Sequence, residues 1–276
     1  MRLRLDLSYD GTAFHGWARQ PGLRTVQGEL EAALARVLRV DAVQVTCAGR
    51  TDTGVHARGQ VVHLDLEEAT LEQAAGRSTD PPATALARRL NGVLDPDVRI
   101  RAGAQAPAGF DARFSASWRR YAYRIADTAT ALDPLSRNHV VTWRRPLDEQ
   151  LMNDAAGTLL GEHDYAAYCR PRPRATTIRE LLELRWQRSP GGVLEATVRA
   201  DAFCHSMVRA LVGGLVAVGE GRRAPTWPAE VLVAGRRDPA VQVMPAAGLT
   251  LEEVAYPPDE ELAVRAEQTR AVRVGG

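Results

Sequence analysis

Residues 2 to 8, RLRLDLS, place a leucine at every second position. That is the period of a strand with one buried face, and no helix gathers such a pattern on one side. The next strong signal has a different period. After Thr25, a good N-cap, residues Val26, Leu30, Ala33, Leu34, Val37 and Leu38 fall on one helical face. Strand-like stretches follow at 42–47, 59–66 and 97–104, with a helix from Leu86 to Leu94. The second half repeats the mixture, with strands at 118–126, 138–144, 179–188, 192–200 and 249–256 and helices at 148–160, 205–218 and 228–235. No regular βα period runs through these elements, so they predict an α+β fold rather than a doubly wound sheet. A division near residue 105, at AQAPAGF, suggests two α+β halves, 1–105 and 106–276. Residues 67–89 read as a Pro, Ala and Arg-rich segment with an exposed loop at STDPPAT. The tail after Tyr256 opens on a proline pair and is expected to fray.

The chain has 276 residues, 45% of them hydrophobic, which is ample for a sizeable core. Net charge is +1, and all 35 basic residues are arginine. That balance requires any positive surface to be segregated on one face. Cys47, Cys169 and Cys204 are widely spaced, with no CxxC, and read as free thiols in a reducing compartment. The charged, alternating N-terminus is no signal peptide, and no apolar run approaches membrane-spanning length, so a soluble cytoplasmic protein is expected. No dinucleotide fingerprint, P-loop or zinc-ligand spacing appears.

Chemistry concentrates in AGRTDTGVHARGQ, residues 48–60. Asp52-Thr53-Gly54 is also the tripeptide of aspartic proteases. Those enzymes need two carboxylates sharing one proton, and this chain has one such loop. Arg50, two residues before the acid, favours its charged form, the wrong direction for a shared-proton dyad. A protease is therefore a poor alternative. A plain turn role for Asp52 is the simpler competitor, since Asp before Gly bonds its local backbone. Against it stands the crowding of Gly49, Arg50, Gly54, His56 and Gln60 between two apolar strands, where glycines let a loop present one carboxylate in a fixed place. His56 and His63 read as a loop polar group and a strand residue.

CAGRTDTGVHARGQVVHLDL resembles the active-site signature of the tRNA pseudouridine synthase A family. Further blocks match in the family's order: YDGTAFHGWARQPGLRTVQGELEAAL (9–34), RRLNGVLDPDVRI (88–100), FDARFSASWRRYAYRI (110–125), AFCHSMVRALVGGLVAVG (202–219) and GLTLEEVAY (248–256). Thr53 stands where the family usually has Ala, Asp111 where His is common, and residues 67–87 look longer than usual. The resemblance implies isomerisation of uridine to pseudouridine at positions 38, 39 and 40 of the tRNA anticodon stem-loop, by a homodimer without a cofactor. It implies two α+β halves sharing a central, mostly antiparallel sheet flanked by helices, with a basic cleft between them. Asp52 becomes the nucleophile or base, Arg50 and Arg209 its charged supports, and Tyr121 the active-site tyrosine that stacks on the uracil and assists proton transfer. A stacked uridine must be flipped out, which needs a grip on the backbone. Arg119, Arg120 and Arg124 are the substrate-binding candidates, with Arg170, Arg172, Arg174 and Arg179 as further phosphate contacts. A catalytically inactive RNA-binding relative is the alternative, against which the intact Arg50, Asp52, Tyr121 and Arg209 argue.

Overall fold

In the computed structural model, residues 1–172 and 176–270 are described. The fold is mixed α/β, with a mostly antiparallel sheet and seven α-helices among the described residues. The described residues divide into two compact units, Met1–Ser117 with Leu251–Arg270, and Trp118–Thr250.

The first unit opens with β1 (Arg2–Tyr9), followed by α1 (Val26–Leu38), β2 (Thr46–Cys47), β3 (His56–Asp65), α2 (Glu68–Ala75), α3 (Pro82–Asn91) and β4 (Val98–Gln105). The alternation of β1 does what its period requires: Leu3, Leu5 and Leu7 are wholly buried. β1 is flanked by β3 and β4, both antiparallel, and β2 adds two residues beside β3. Thr25 caps α1 by accepting from the Gly28 N–H.

Within 67–89, α2 precedes the loop expected at STDPPAT, and α3 cuts that loop short by starting at Pro82, four residues before the expected helix start at Leu86. The proline pair misled: Pro82 sits in the first helical turn, where its missing N–H costs nothing.

The second unit carries β5 (Trp118–Ala126), β6 (Val141–Thr142), α4 (Glu149–Gly157), β7 (Gly161–Asp164), β8 (Ile178–Arg188), β9 (Leu194–Ala200), α5 (Met207–Gly219) and α6 (Trp227–Ala234). Its strands run in the order β5-β9-β8-β7, antiparallel at each ladder, with β6 beside β5 as the parallel exception. β7 has the polar, exposed sequence GEHD of a short edge strand, which leaves no apolar alternation to read. Every residue of α5 except Arg209 is buried. Asp127, buried beyond β5, takes a two-pronged ion pair from Arg188 at 2.6 and 3.0 Å and the Leu147 N–H at 2.8 Å. Burial opposes its charge, but these donors prevail and hold the carboxyl below its ordinary range.

The chain ends its described part with β10 (Leu249–Ala255), next to β3 in strand order, and α7 (Leu262–Arg270). The expected fraying therefore does not occur before Arg270. Leu262 and Ala266 are buried, Ser115 Oγ donates to the Leu262 carbonyl, and Arg270 pairs with Asp111 at 3.1 Å. Among the described residues no helix is long and apolar enough to cross a membrane.

The expectation of three free thiols is corrected for two of them. Cys169 and Cys204 form a disulfide, and Cys47 remains a buried thiol. A hydrogen bond from Arg170 N–H to the His205 carbonyl at 2.9 Å lays the two segments side by side, a proximity that 35 intervening residues hide from spacing rules. Burial pushes the Cys47 thiol up to about 12, so it is almost wholly protonated at pH 8. Alkylation of the native protein at pH 8 is accordingly expected to label no cysteine. Denaturation without reductant should expose one thiol, and with reductant three. Three thiols without reductant would remove the bridge.

Candidate functional site

Asp52 lies on the loop between β2 and β3 in the first unit, and the loop is pinned from several directions. Thr51 Oγ1 sits 2.8 Å from the Tyr9 hydroxyl, and the Thr51 carbonyl accepts from Trp17 N–H at 3.0 Å. Gln60 donates to the Gly49 carbonyl at 2.8 Å. The Asp52 carbonyl accepts from Val55 N–H at 3.1 Å, closing a turn in which Gly54 has φ of +77°. Gly54 N–H in turn donates to the Phe14 carbonyl.

The 9–17 segment can approach this closely because it is glycine-rich. A Cβ on Gly11 would meet the Val55 carbonyl oxygen at 2.1 Å. Each buried bond contributes about 1 kcal/mol, and together they fix the main chain on both sides of the acid. The Asp52 side chain is half-buried between these anchors.

His56 is drawn further inward than a loop polar group. It is buried, and its Nδ1 accepts the Gly11 N–H at 2.9 Å. His63 likewise accepts from Ala112 N–H, and burial lowers its pKa. Neither belongs to a group that could hold a metal among the described residues.

Arg50, expected to support Asp52, is exposed and forms no ion pair among the described residues. Its charge is felt instead by Cys47.

In the second unit, β5 separates the candidate side chains by its period of two. Arg119 and Tyr121 are buried on one face, while Arg120 and Arg124 alternate to the other. Arg119 donates to the Asp201 carbonyl at 2.8 Å. Tyr121 is 8% exposed and meets Phe203 edge-to-face, ring centroids 5.1 Å apart. Arg124 is committed to Glu195 at 2.7 Å, directly across from it on β9. Arg120 is paired in register with Arg199. The three arginines therefore do not form one patch.

Tyr123 is a core residue: its hydroxyl donates to the Pro245 carbonyl, and burial raises its pKa.

Arg209, on α5, is half-buried; its Nε donates to the Met244 carbonyl at 2.6 Å, and Met244 N–H returns a bond to the Arg209 carbonyl at 3.1 Å. Among the further phosphate candidates, Arg179 bonds locally to Thr176, and Arg174 lies outside the described residues.

Sequence reasoning named Gln60 but missed the Tyr9–Thr51 contact beside it, and it missed Phe203. The first left a trace, since Tyr9 continues the buried phase of Leu3, Leu5 and Leu7. The second left none, because only the tertiary fold carries Phe203 to Tyr121.

The profile described as "tRNA pseudouridine synthase" matches residues 7–114 and 155–257. A protein of Frankia casuarinae named tRNA pseudouridine synthase A is 62% identical over 99% of this chain and 96% of its own length. Proteins of the same name from Streptomyces griseus and Corynebacterium glutamicum are 58% and 50% identical, covering 99% of this chain and 94% and 95% of their own lengths.

Proposed function

The chain belongs to the tRNA pseudouridine synthase family, and we propose that Asp52 is the residue on which its reaction turns. The enzyme isomerises uridine to pseudouridine in tRNA. That membership removes the aspartic protease reading of Asp52-Thr53-Gly54.

The reaction breaks the N1–C1′ bond, turns the uracil and joins C5 to C1′, and the C5 proton leaves. It is neutral in redox and needs no energy input. A carboxylate serves it as nucleophile at C1′ or C6, or as base toward the 2′ proton, and is regenerated in each case. The observation that carries the assignment is the fixing of Asp52: its flanking main chain is bonded to the 9–17 segment and to Gln60, while its side chain keeps partial exposure. A turn residue needs no such scaffold.

Tyr121 is assigned the uracil face and proton delivery, helped by the ring of Phe203 that fixes its plane. Arg209 is assigned as an electrostatic partner of the reaction, its guanidinium oriented by the Met244 carbonyl. Arg50 is assigned a catalytic part from outside the buried scaffold. Arg119, Arg120 and Arg124 are assigned to substrate contact, with the Glu195 pair of Arg124 to be exchanged for phosphate.

The substrate positions are 38, 39 and 40 of the anticodon stem-loop, and the enzyme works as a cytoplasmic homodimer, with residues 1–105 carrying the catalytic loop. The Cys169–Cys204 bridge is the feature that pulls against a reducing location.

The test is tritium release from C5-labelled uridine in tRNA, with transcripts bearing uridine at one of the three positions. Release is expected from each. No release from any by folded protein overturns the reading.

A further inference from the structure

In the second unit a series of contacts links five arginines outside the residues assigned above. Glu220, just past α5, has a side chain only 3% exposed. It accepts from Trp143 Nε1 at 2.9 Å and from Arg222 Nε, and Arg145 lies 4.0 Å away. One buried carboxylate thus anchors two arginines whose side chains are 43% and 66% exposed. The next residue, Arg223, lays its guanidinium over the Trp227 ring at 4.9 Å. Trp227 in turn lines a concavity of about 430 Å³ with Arg236 and Arg237.

Two carboxylates also line that concavity, and both are engaged locally. Glu230 accepts from the Thr226 hydroxyl, and Asp238 accepts from the Ala240 N–H. Arg223, Arg236 and Arg237 are exposed and, among the described residues, in no ion pair. Five guanidiniums therefore stand against three carboxylates, one of them buried beneath the arginines it holds.

Such crowding does nothing for folding, because exposed like charges repel. It suits a polyanion. A guanidinium presents a planar fork to two phosphate oxygens, and Trp227 and Glu220 hold Arg223 and Arg222 partly ordered in advance. We propose that the strip formed by Arg145, Arg222, Arg223, Arg236 and Arg237 grips the phosphate backbone of tRNA, as a docking surface additional to the residues assigned to the reaction. The concavity beside Trp227 receives a phosphate and its ribose. The inference rests on the reading of tRNA as substrate.

The test compares the wild type with the triple variant Arg223→Ala, Arg236→Ala, Arg237→Ala. All three side chains are exposed, so the fold is expected to persist, as checked by thermal melting. Binding of full-length unmodified tRNA is measured across a range of salt. Affinity is expected to fall at least about tenfold, and the slope of log affinity against log salt to shrink by about two. Replacing the same three residues with lysine should restore most of the slope, because a phosphate accepts a point charge, but only part of the affinity, because lysine lacks the fork. Unchanged affinity and slope in the alanine variant would overturn the strip, and so would a slope that lysine leaves uncorrected. Binding is read without turnover. A wild type that releases no tritium, beside an alanine variant that still loses affinity, would sink the catalytic reading and leave the strip standing. Normal release with unaltered binding would sink the strip alone.

Discussion

Asp52→Asn is expected to fold and bind tRNA like the wild type while its turnover falls on the order of 10⁴-fold or more. The amide is nearly the same size as the carboxylate. The bonds that hold the loop use the main chain of residues 49, 51, 52 and 54 and the side chains of Thr51, Tyr9 and Gln60, all of which the substitution leaves alone. An amide is neither nucleophile nor base, so each of the three conceivable roles of the carboxylate fails together. Affinity should hold, because the backbone contacts lie elsewhere. It should rise slightly as one negative charge leaves a surface that receives a polyanion. A turn role makes the opposite forecast, since Asn serves turns nearly as well as Asp. The measurement is paired, tritium release and tRNA binding on the same preparation, and near-normal release would return Asp52 to an ordinary turn.

Much of this architecture could be read from the chain. The alternation in β1 and the capped 3.6-residue period of α1 are local signals, and both elements formed where they pointed. The failures have a common cause. At 81–82 and 257–258 proline pairs signalled loops, but in the first case a proline occupies a first helical turn, and in the second the pair precedes a helix tied down by Ser115 and Asp111, far away in sequence. The site divides in the same way. The acid and its flanking glycines announced themselves as a motif. That Arg119 and Arg120 face opposite ways follows from their adjacency on a strand, and a strict use of the period would have found it. The burial of His56, the Phe203 contact and the Cys169–Cys204 bridge come from tertiary approach, which no short-range pattern encodes.

The adjacent glycines of α5 supply a stringent check on how Arg209 is held. A Cβ on Gly213 would lie 1.7 Å from the Gln242 carbonyl oxygen and 2.8 Å from its carbon. That obstacle is main chain, so it cannot swing aside as a side-chain tip would. A Cβ on Gly214 meets only the Tyr168 ring, at 3.6 Å, an ordinary contact. Gly213→Ala is therefore expected to cost about 3 kcal/mol or more, by overpacking with no soft neighbour to yield. Gly214→Ala should change stability by about 1 kcal/mol at most, in the favourable direction, because alanine is the better helix former. Gly213 sits one turn beyond Arg209, and both pack on the same segment: Gly213 on Gln242, and Arg209 through its two bonds with Met244. Forcing the helix away from that segment breaks the pair of bonds that aims the guanidinium. Whatever Gly213→Ala protein remains folded should accordingly bind tRNA but turn it over poorly, while Gly214→Ala keeps wild-type turnover. Urea midpoints and tritium release on the two variants test this together. Equal midpoints would mean that α5 does not rest on residues 242–244, and the orientation assigned to Arg209 would fall with that contact.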